Sequence, residues 1–283
     1  MKRATVLLII FCIYLNQNIF SQIIKPTNND KKVVIVPAGQ SRTFMFTNDK
    51  GLFYYGETGQ QNTSQYQGLS YLTHKFLEDY IIESSGEVLS RAEAEVQLMG
   101  DRVIRRFKNL SIEEEISMSD SLPILMVKLR SKQKAHIAIT PLISGSDDKQ
   151  DFTLDWSASD KILYISRIQK LVQNNHNDIP DWLGIYTYPE GEYSTSAIEY
   201  DSKKSTAAQR NTFYPGKINI YFEIEALVLF VIGNNKNEVI NNRNIMLNDL
   251  NLEIKKQNTQ IEGIRQTQIN IDFDLFALFL PSY

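Results

Sequence analysis

Cysteine is nearly absent from this chain of 283 residues: Cys12 stands alone. A lone thiol closes no intrachain disulfide and supplies no multi-cysteine metal site. Histidine is almost as scarce, and His74, His136 and His176 lie far apart with no His-x-x-x-His pair, so a zinc centre is not expected. Charge of one sign is missing too. Thirty Lys and Arg face 33 Asp and Glu, a formal net charge of −3, which lacks the clustered basic excess that a nucleic-acid binder needs to displace phosphate counterions. Glycine and proline, 13 and 8 residues, are too few for collagen-like or low-complexity structure. No Gly-x-Ser-x-Gly elbow offers a nucleophile for acyl transfer. Gly56 and Gly59 lack the further glycines and the lysine of a phosphate loop, so no cofactor is expected.

What is present begins with an apolar run. Lys2 and Arg3 precede Ala4 to Leu15, and a short polar stretch then leads to Ser21 and Gln22. This is the layout of a secretory signal peptide over 1–21, with small Ser21 at the cleavage edge. The alternative is a buried N-terminal helix or a signal anchor. The run is shorter than the roughly 20 residues of a spanning helix, and no later stretch is long and apolar enough to cross. The expectation is an exported protein, periplasmic or extracellular, with no membrane-spanning segment once the signal is removed. Cys12 would leave with the signal, and Ile9-Ile10-Phe11 before it do not make a lipid-attachment site.

From Val33 to about Ile232 short alternating or apolar runs are separated by turn residues, the signature of strands. Thr43 to Thr47, then Asn48-Asp49-Lys50-Gly51, then Leu52 to Tyr55 predicts a hairpin. Phe76 to Glu83 with Glu87 to Leu89, and Ala94 to Met99 with Arg102 to Phe107, repeat the theme. Leu110 to Met118 alternates imperfectly, through Ile112-Glu113-Glu114-Glu115-Ile116. Pro123 to Leu129 and His136 to Ile143 read as a further pair about the basic turn Arg130 to Lys134. Phe152 to Trp156 and Lys161 to Ile165 continue the meander, although Ile162 to Val172 fits a helix equally well. Lys217 to Val231 is a long β-branched and aromatic run, one central strand or two. Strands at this spacing predict a mainly β fold, a large antiparallel β-sandwich over 22–232.

The pattern changes over 233–283. Between Asn237 and Arg265, Ile240, Leu247, Leu250, Ile254, Ile261 and Ile264 fall on a seven-residue grid whose other positions are Arg243 and Gln257. That is a long amphipathic linker helix, packed on the sandwich or bridging to another domain, or else self-associating as a coiled coil. The apolar tail Phe273 to Tyr283 needs a docking surface in water. It reads as a last strand or as the edge of a longer chain.

Carboxylates and aromatics are the residues with chemistry to offer. Asp147-Asp148-Lys149-Gln150-Asp151 lacks the spaced ligands of a calcium loop. Asp178 and Asp181 flank Pro180 beside Trp182, and Glu190 and Glu192 flank Gly191. Glycoside hydrolysis needs two carboxyls roughly 5 to 9.5 Å apart across a sugar, which sequence neighbours alone do not provide. An exposed aromatic ring beside polar groups offers a pyranose a flat apolar face. The loop from Trp182 to Tyr193 supplies the candidates: Trp182, Tyr186, Tyr188 and Tyr193 as carbohydrate contacts.

Several segments together resemble the N-terminal β-sandwich domain of secreted bacterial glycogen-debranching-like proteins of the amylo-α-1,6-glucosidase type. They are Ser41-Arg42-Thr43-Phe44 leading to Tyr54-Tyr55-Gly56-Glu57-Thr58, Asp79-Tyr80, Arg102 to Phe107, Pro123 to Leu129, and Phe213-Tyr214-Pro215-Gly216-Lys217-Ile218. The resemblance spans roughly Val34 to Ile232. It implies a sandwich that precedes a helical (α/α)6 barrel, with the acid and base carboxylates on the barrel. The implied partners are an α-glucan or oligosaccharide and a catalytic (α/α)6 domain or partner chain. The resemblance carries over no catalytic residue. The rival readings are a stand-alone carbohydrate-active enzyme and a protein-binding or adhesion sandwich.

Overall fold

The computed structural model describes residues 33–62, 64, 66–72, 74–145, 152–167, 180–204 and 209–250, with the backbone alone at 144–145, 196–204 and 209–211. Cys12, the signal peptide expected over 1–21, Asp147 to Asp151, His176, Asp178, the continuation of the linker helix expected beyond 250, and the apolar tail lie outside the described residues.

The strands are β1 (Val34–Val36), β2 (Thr43–Thr47), β3 (Leu52–Glu57), β4 (Gly68–Tyr71), β5 (His74–Leu77), β6 (Asp79–Ser84), β7 (Glu87–Val88), β8 (Glu95–Leu98) and β9 (Arg102–Phe107). There follow β10 (Ile112–Met118), β11 (Ile124–Ser131), β12 (Ala135–Gly145), β13 (Phe152–Ser157), β14 (Ile162–Arg167), β15 (Trp182–Tyr188), β16 (Glu192–Lys204), β17 (Gln209–Phe222) and β18 (Glu225–Gly233). A helix, α1, covers 236–250. The strands form three antiparallel sheets: nine strands in the order β1-β8-β9-β10-β11-β18-β15-β14-β13, five in the order β16-β17-β12-β6-β7, and four in the order β2-β3-β4-β5. Their inner faces share one core, with Leu52 and Leu69 of the small sheet, Ile137 and Ile220 of the middle sheet, and Val127 and Val228 of the large sheet in a single apolar cluster. The mainly β sandwich read from the sequence is the fold.

Several hairpins stand as read, including β2 with β3, β8 with β9, and β13 with β14. One pairing needs correction. Strands β11 and β12 are not partners, because β11 lies between β10 and β18 of the large sheet while β12 lies between β6 and β17 of the middle sheet. The basic turn between them is a corner that crosses the sandwich, and Ser131 N–H donates to Ile224 O of the neighbouring corner, 2.9 Å away. Alternation records that a residue faces the core and carries no mark of which sheet holds the strand. Likewise Phe76 to Glu83 is two strands in two sheets, parted where Glu78 N–H bonds Leu142 O at 2.7 Å. Lys217 to Val231 is also two strands, and Ile162 begins a strand.

Proline marks where β12 and β17 depart from regular pairing. Pro141 in β12 has no N–H to offer the ladder, and the β12–β17 register shifts between Ile139 and Ile143. The matching stretch of β17 holds Tyr214-Pro215-Gly216, with Gly216 at φ +138°, a conformation that residues with a Cβ rarely adopt.

Strand β18 has apolar side chains on both faces, Ala226, Val228, Phe230 and Ile232 toward the main core and Leu227, Leu229 and Val231 toward a second cluster. This explains its unbroken hydrophobic run. The second cluster is closed by α1. Asn235 caps the helix by accepting from Glu238 N–H at 3.0 Å, and Glu238 reaches back to Asn234 N–H at 2.9 Å, a capping-box arrangement. Val239, Asn242 and Met246 are buried, while Ile240, Leu247 and Leu250 of the heptad grid pack at the flank. The helix thus packs on the sandwich, with its buried row displaced by one residue from the grid. Gly184 in β15 leaves the space it occupies, since a Cβ there would lie 2.3 Å from Val239 Cγ1. The rest of the same sheet face carries a ladder of ion pairs: Arg106 with Glu113, Arg130 with Glu113 and Glu115, and Arg102 with Glu115, at 2.9 to 3.0 Å.

Replacing Gly184 by Ala should push α1 off the sheet and cost about 1–3 kcal/mol, as overpacking does. Val239→Ala in the same chain should recover most of that loss, because the two sites share one contact. Urea denaturation of the two singles and the double checks both.

Candidate functional site

Period-two alternation sets Arg105 on the same face of β9 as Val103 and Phe107, and Glu114 on the same face of β10 as Ile112 and Ile116. All four apolar residues belong to the main core. The register places Arg105 opposite Glu114, so a charged pair sits where a core pair is expected. Both side chains are buried, and Arg105 Nη1 donates to Glu114 Oε2 at 2.7 Å. The other guanidinium nitrogens reach the small sheet: Nη2 donates to Glu57 O at 2.6 Å and Nε to Thr58 O at 3.0 Å. Tyr80 of β6 donates its hydroxyl to Glu114 Oε1 at 2.5 Å. Three sheets therefore meet on one ion pair.

A second buried pair lies beside it. Arg91, in a short 3-10 turn after β7, grips Asp79 with two bonds of 2.8 Å, the bidentate geometry that suits a guanidinium. It also donates to Tyr80 O at 3.0 Å and lies over the Tyr80 ring, 5.2 Å from its centre. Asp79 accepts further from Asn62 N–H and Tyr80 N–H, each at 2.8 Å. Glu57, at the end of β3, accepts from Ser41 Oγ at 2.9 Å, Gln60 Nε2 at 2.8 Å and Gln67 Nε2 at 3.0 Å. Every one of these carboxylates is met by fixed donors, as buried charge requires.

Burial pushes the Tyr80 and Tyr54 hydroxyls far above the ordinary phenol range, with Glu114 and Asp79 respectively adding to it. Burial opposes the charge on Arg91, yet Asp79 beside it holds the guanidinium protonated more firmly than usual. A cavity of about 360 Å³ opens at this junction, lined by Gln60, Tyr80, Ser90, Arg91, Phe107 and Glu114 among others. Val88 and Ser90, exposed at its mouth, lead in from solvent.

The four aromatic candidates do not form one surface. Trp182 and Tyr186 lie on β15 beneath α1: Trp182 packs edge-to-face on Tyr164, with Lys236 Nζ 5.3 Å from its ring centre, and Tyr186 is buried under the Arg243 guanidinium at 4.9 Å. Tyr193 lies on β16, against Trp156, and donates its hydroxyl to Pro215 O at 2.6 Å. Tyr188, 61% exposed, stands at the end of β15 before cis Pro189. Of the loop carboxylates, Asp181, Glu190 and Glu192 are described and none lines the cavity. Among the described residues no cluster of His, Cys, Asp and Glu is placed to hold a metal ion, and no helix is long and apolar enough to cross a membrane. His136 stacks on Tyr221 at 4.3 Å.

The residues of the junction carry a sequence signal of their own. A charge that falls in phase with flanking core residues, Arg105 between Val103 and Phe107 or Glu114 between Ile112 and Ile116, marks a buried pair. Arg91 and Asp79 leave no such trace, because their partnership depends on a turn and a strand meeting in space.

No known family model matches the chain, and no curated protein is similar to it. Among solved structures, a polysaccharide lyase aligns at 12% identity and TM-score 0.27, over 72% of this chain and 34% of its own. The GH36 α-galactosidase AgaB from Geobacillus stearothermophilus aligns at 9% identity and TM-score 0.24, over 74% of this chain and 41% of its own. The chain therefore spans well under half the length of either protein. At TM-scores this low, neither likeness defines the site.

Arg105→Met should leave Glu114 as a buried, half-answered charge and cost about 3–5 kcal/mol, whereas Arg105→Met with Glu114→Leu should recover much of the loss; chemical denaturation measures both. Alkali should also weaken the fold. Burial, with Asp160 adding, pushes Tyr164 from 10.0 up to about 12, so above pH 10 the unfolded chain binds fewer protons than the native one and stability falls. Tyr164→Phe, at a hydroxyl with no protein partner among the described residues, should make the decline in melting temperature between pH 10 and 12 shallower, with the share from buried Tyr54 and Tyr80 remaining.

Proposed function

We propose that this chain is a non-catalytic, carbohydrate-associated β-sandwich, related in role to the sandwich that precedes the catalytic barrel in secreted debranching-type α-glucan hydrolases. It is exported through its N-terminal segment, contacts α-glucan, and presents α1 and the residues beyond it toward a catalytic (α/α)6 domain or partner chain. The observation that supports this reading is the use made of the carboxylates where the resembling segments meet. Tyr54 to Thr58, Asp79-Tyr80 and Arg102 to Phe107 converge on one junction, and there Glu57, Asp79 and Glu114 each accept from fixed donors, with donors to Asp79 and Glu114 reaching in from outside their own sheets. A glycosidase needs one carboxyl free to give a proton and a second facing it across the sugar. These three are instead committed to structural bonds, Asp79 and Glu114 between elements of different sheets and Glu57 within the small sheet.

The test is retention of the purified full-length chain in gels containing glycogen, pullulan or a β-glucan, with reducing-sugar release followed in parallel. Retention by the α-glucans without release is the expected result. Release of sugar would overturn the non-catalytic reading, and retention by none of the three would overturn the carbohydrate reading in favour of a protein-binding sandwich.

A further inference from the structure

We propose that the open flank of the Tyr221 ring, where strand β16 falls short of the end of β17, binds a neutral pyranose unit of a glucan; this deepens the carbohydrate reading above and rests on it. Tyr221 is 70% exposed. It stands opposite His136 in the β12–β17 register, and their rings stack with centres 4.3 Å apart and planes 5° from parallel. Their neighbours Ile137 and Ile220 belong to the core, so both rings lie on the outer face of the middle sheet. The ring separation is close to the roughly 4.8 Å between adjacent strands, so the rings stand upright, side by side. One face of Tyr221 is covered by His136, and the other is turned toward β16.

Strand β16 starts at Glu192, opposite Asn219 and two residues short of Tyr221. An upright aromatic wall therefore borders a step in the sheet, and the groups at the step are polar. Asn219 Nδ2 donates to Ser194 Oγ at 3.2 Å and to Glu192 O at 3.4 Å, which turns the amide toward β16; its Oδ1 accepts no bond among the described residues. Glu192 and Ser194 are exposed on the same sheet face. A pyranose has what this corner takes: a C–H face for the ring and hydroxyls for an amide, a carboxylate and a serine. The charges favour a neutral one. Lys217, two residues along β17 from Asn219, is held by both oxygens of Glu83 at 2.6 Å, and Glu192 has no cationic partner among the described residues. An acidic sugar would meet a like charge there. The stack on His136 orders the Tyr221 ring in advance, which lowers the ordering cost of binding.

Affinity electrophoresis of the full-length chain in gels of glycogen, pullulan, a β-glucan and polygalacturonate tests the site. The wild type should be retained by the α-glucans and not by polygalacturonate. Tyr221→Ala, with its melting temperature as the check on folding, should weaken apparent affinity roughly tenfold or more, as truncating an aromatic anchor does. Tyr221→Phe should keep the wild-type value. Tyr66→Ala removes a tyrosine of matching exposure, 69%, from the turn before β4 and should change nothing. Tyr221→Gln covers His136 without a ring and serves if Tyr221→Ala does not fold.

Retention that survives the loss of the Tyr221 ring would overturn the site while sparing the accessory function, as would an equal loss in Tyr66→Ala. Retention by polygalacturonate in place of the neutral glucans would overturn the choice of a neutral sugar. Retention by the β-glucan alone, lost in Tyr221→Ala, would uphold the site and sink the α-glucan reading. Retention in none of the gels would overturn both.

Discussion

The sandwich depends on one buried ion pair. Arg105 and Glu114 face each other across two neighbouring strands of the large sheet, inside the core, and neither would be stable there alone. What makes the pair tolerable is that its remaining hydrogen-bonding capacity is spent on the other two sheets: two backbone carbonyls at the end of β3 in the small sheet for Arg105, and the Tyr80 hydroxyl of the middle sheet for Glu114. A hydrophobic pair of similar volume would pack as well and specify less. With apolar side chains the small sheet could slide over the large one at little cost. With the guanidinium it has one position at which all donors are met.

That arrangement explains why the polar residues of the resembling segments lie so far inside the protein. Glu57, Asp79, Tyr80 and Arg105 belong to three different sheets, yet all belong to one network. The cavity beside them is a by-product of the same geometry. Arg91 enters from a short turn to meet Asp79, and the turn leaves room between β6, β7 and the end of β9. Three of its polar lining residues, Tyr80, Arg91 and Glu114, are held by bonds that the fold itself requires.

Much of the fold was legible in the sequence. Alternation located most of the strands but missed β4, β15 and β16, and the stretch from Trp182 to Tyr193 read as a loop is β15 and the start of β16; turns rich in Asn, Asp and Gly fixed the β2–β3 hairpin. The double-sided burial of β18 showed as an uninterrupted apolar run. The sheet to which each strand belongs was not legible, because a hairpin and a cross-sandwich corner can have the same length and polarity, as the turns after β11 and β17 show. The site was less legible still. Attention to aromatics selected Trp182 and Tyr186, whose rings serve the seat of α1, whereas the imperfect alternation Ile112-Glu113-Glu114-Glu115-Ile116 held the informative break. Glu114 was readable as a charge in a core position. Arg91 and Asp79 were not, since only the tertiary fold brings them together.

The place of β18 in the large sheet has a consequence for how the chain is made. Among the described strands it is the last to be synthesised, yet it lies in the interior of the sheet, between β11 and β15. Until residues 225–233 are available, the large sheet exists as two separate pieces, each with an open inner edge, β11 on one and β15 on the other. Sequence-distant pairing of this kind is slow to form, and unpaired edges invite association with other chains. The nascent protein must therefore carry the open β11 edge from residue 131 and the open β15 edge from residue 188 until 225–233 emerge, and the same nine residues that close them also contribute to both apolar clusters.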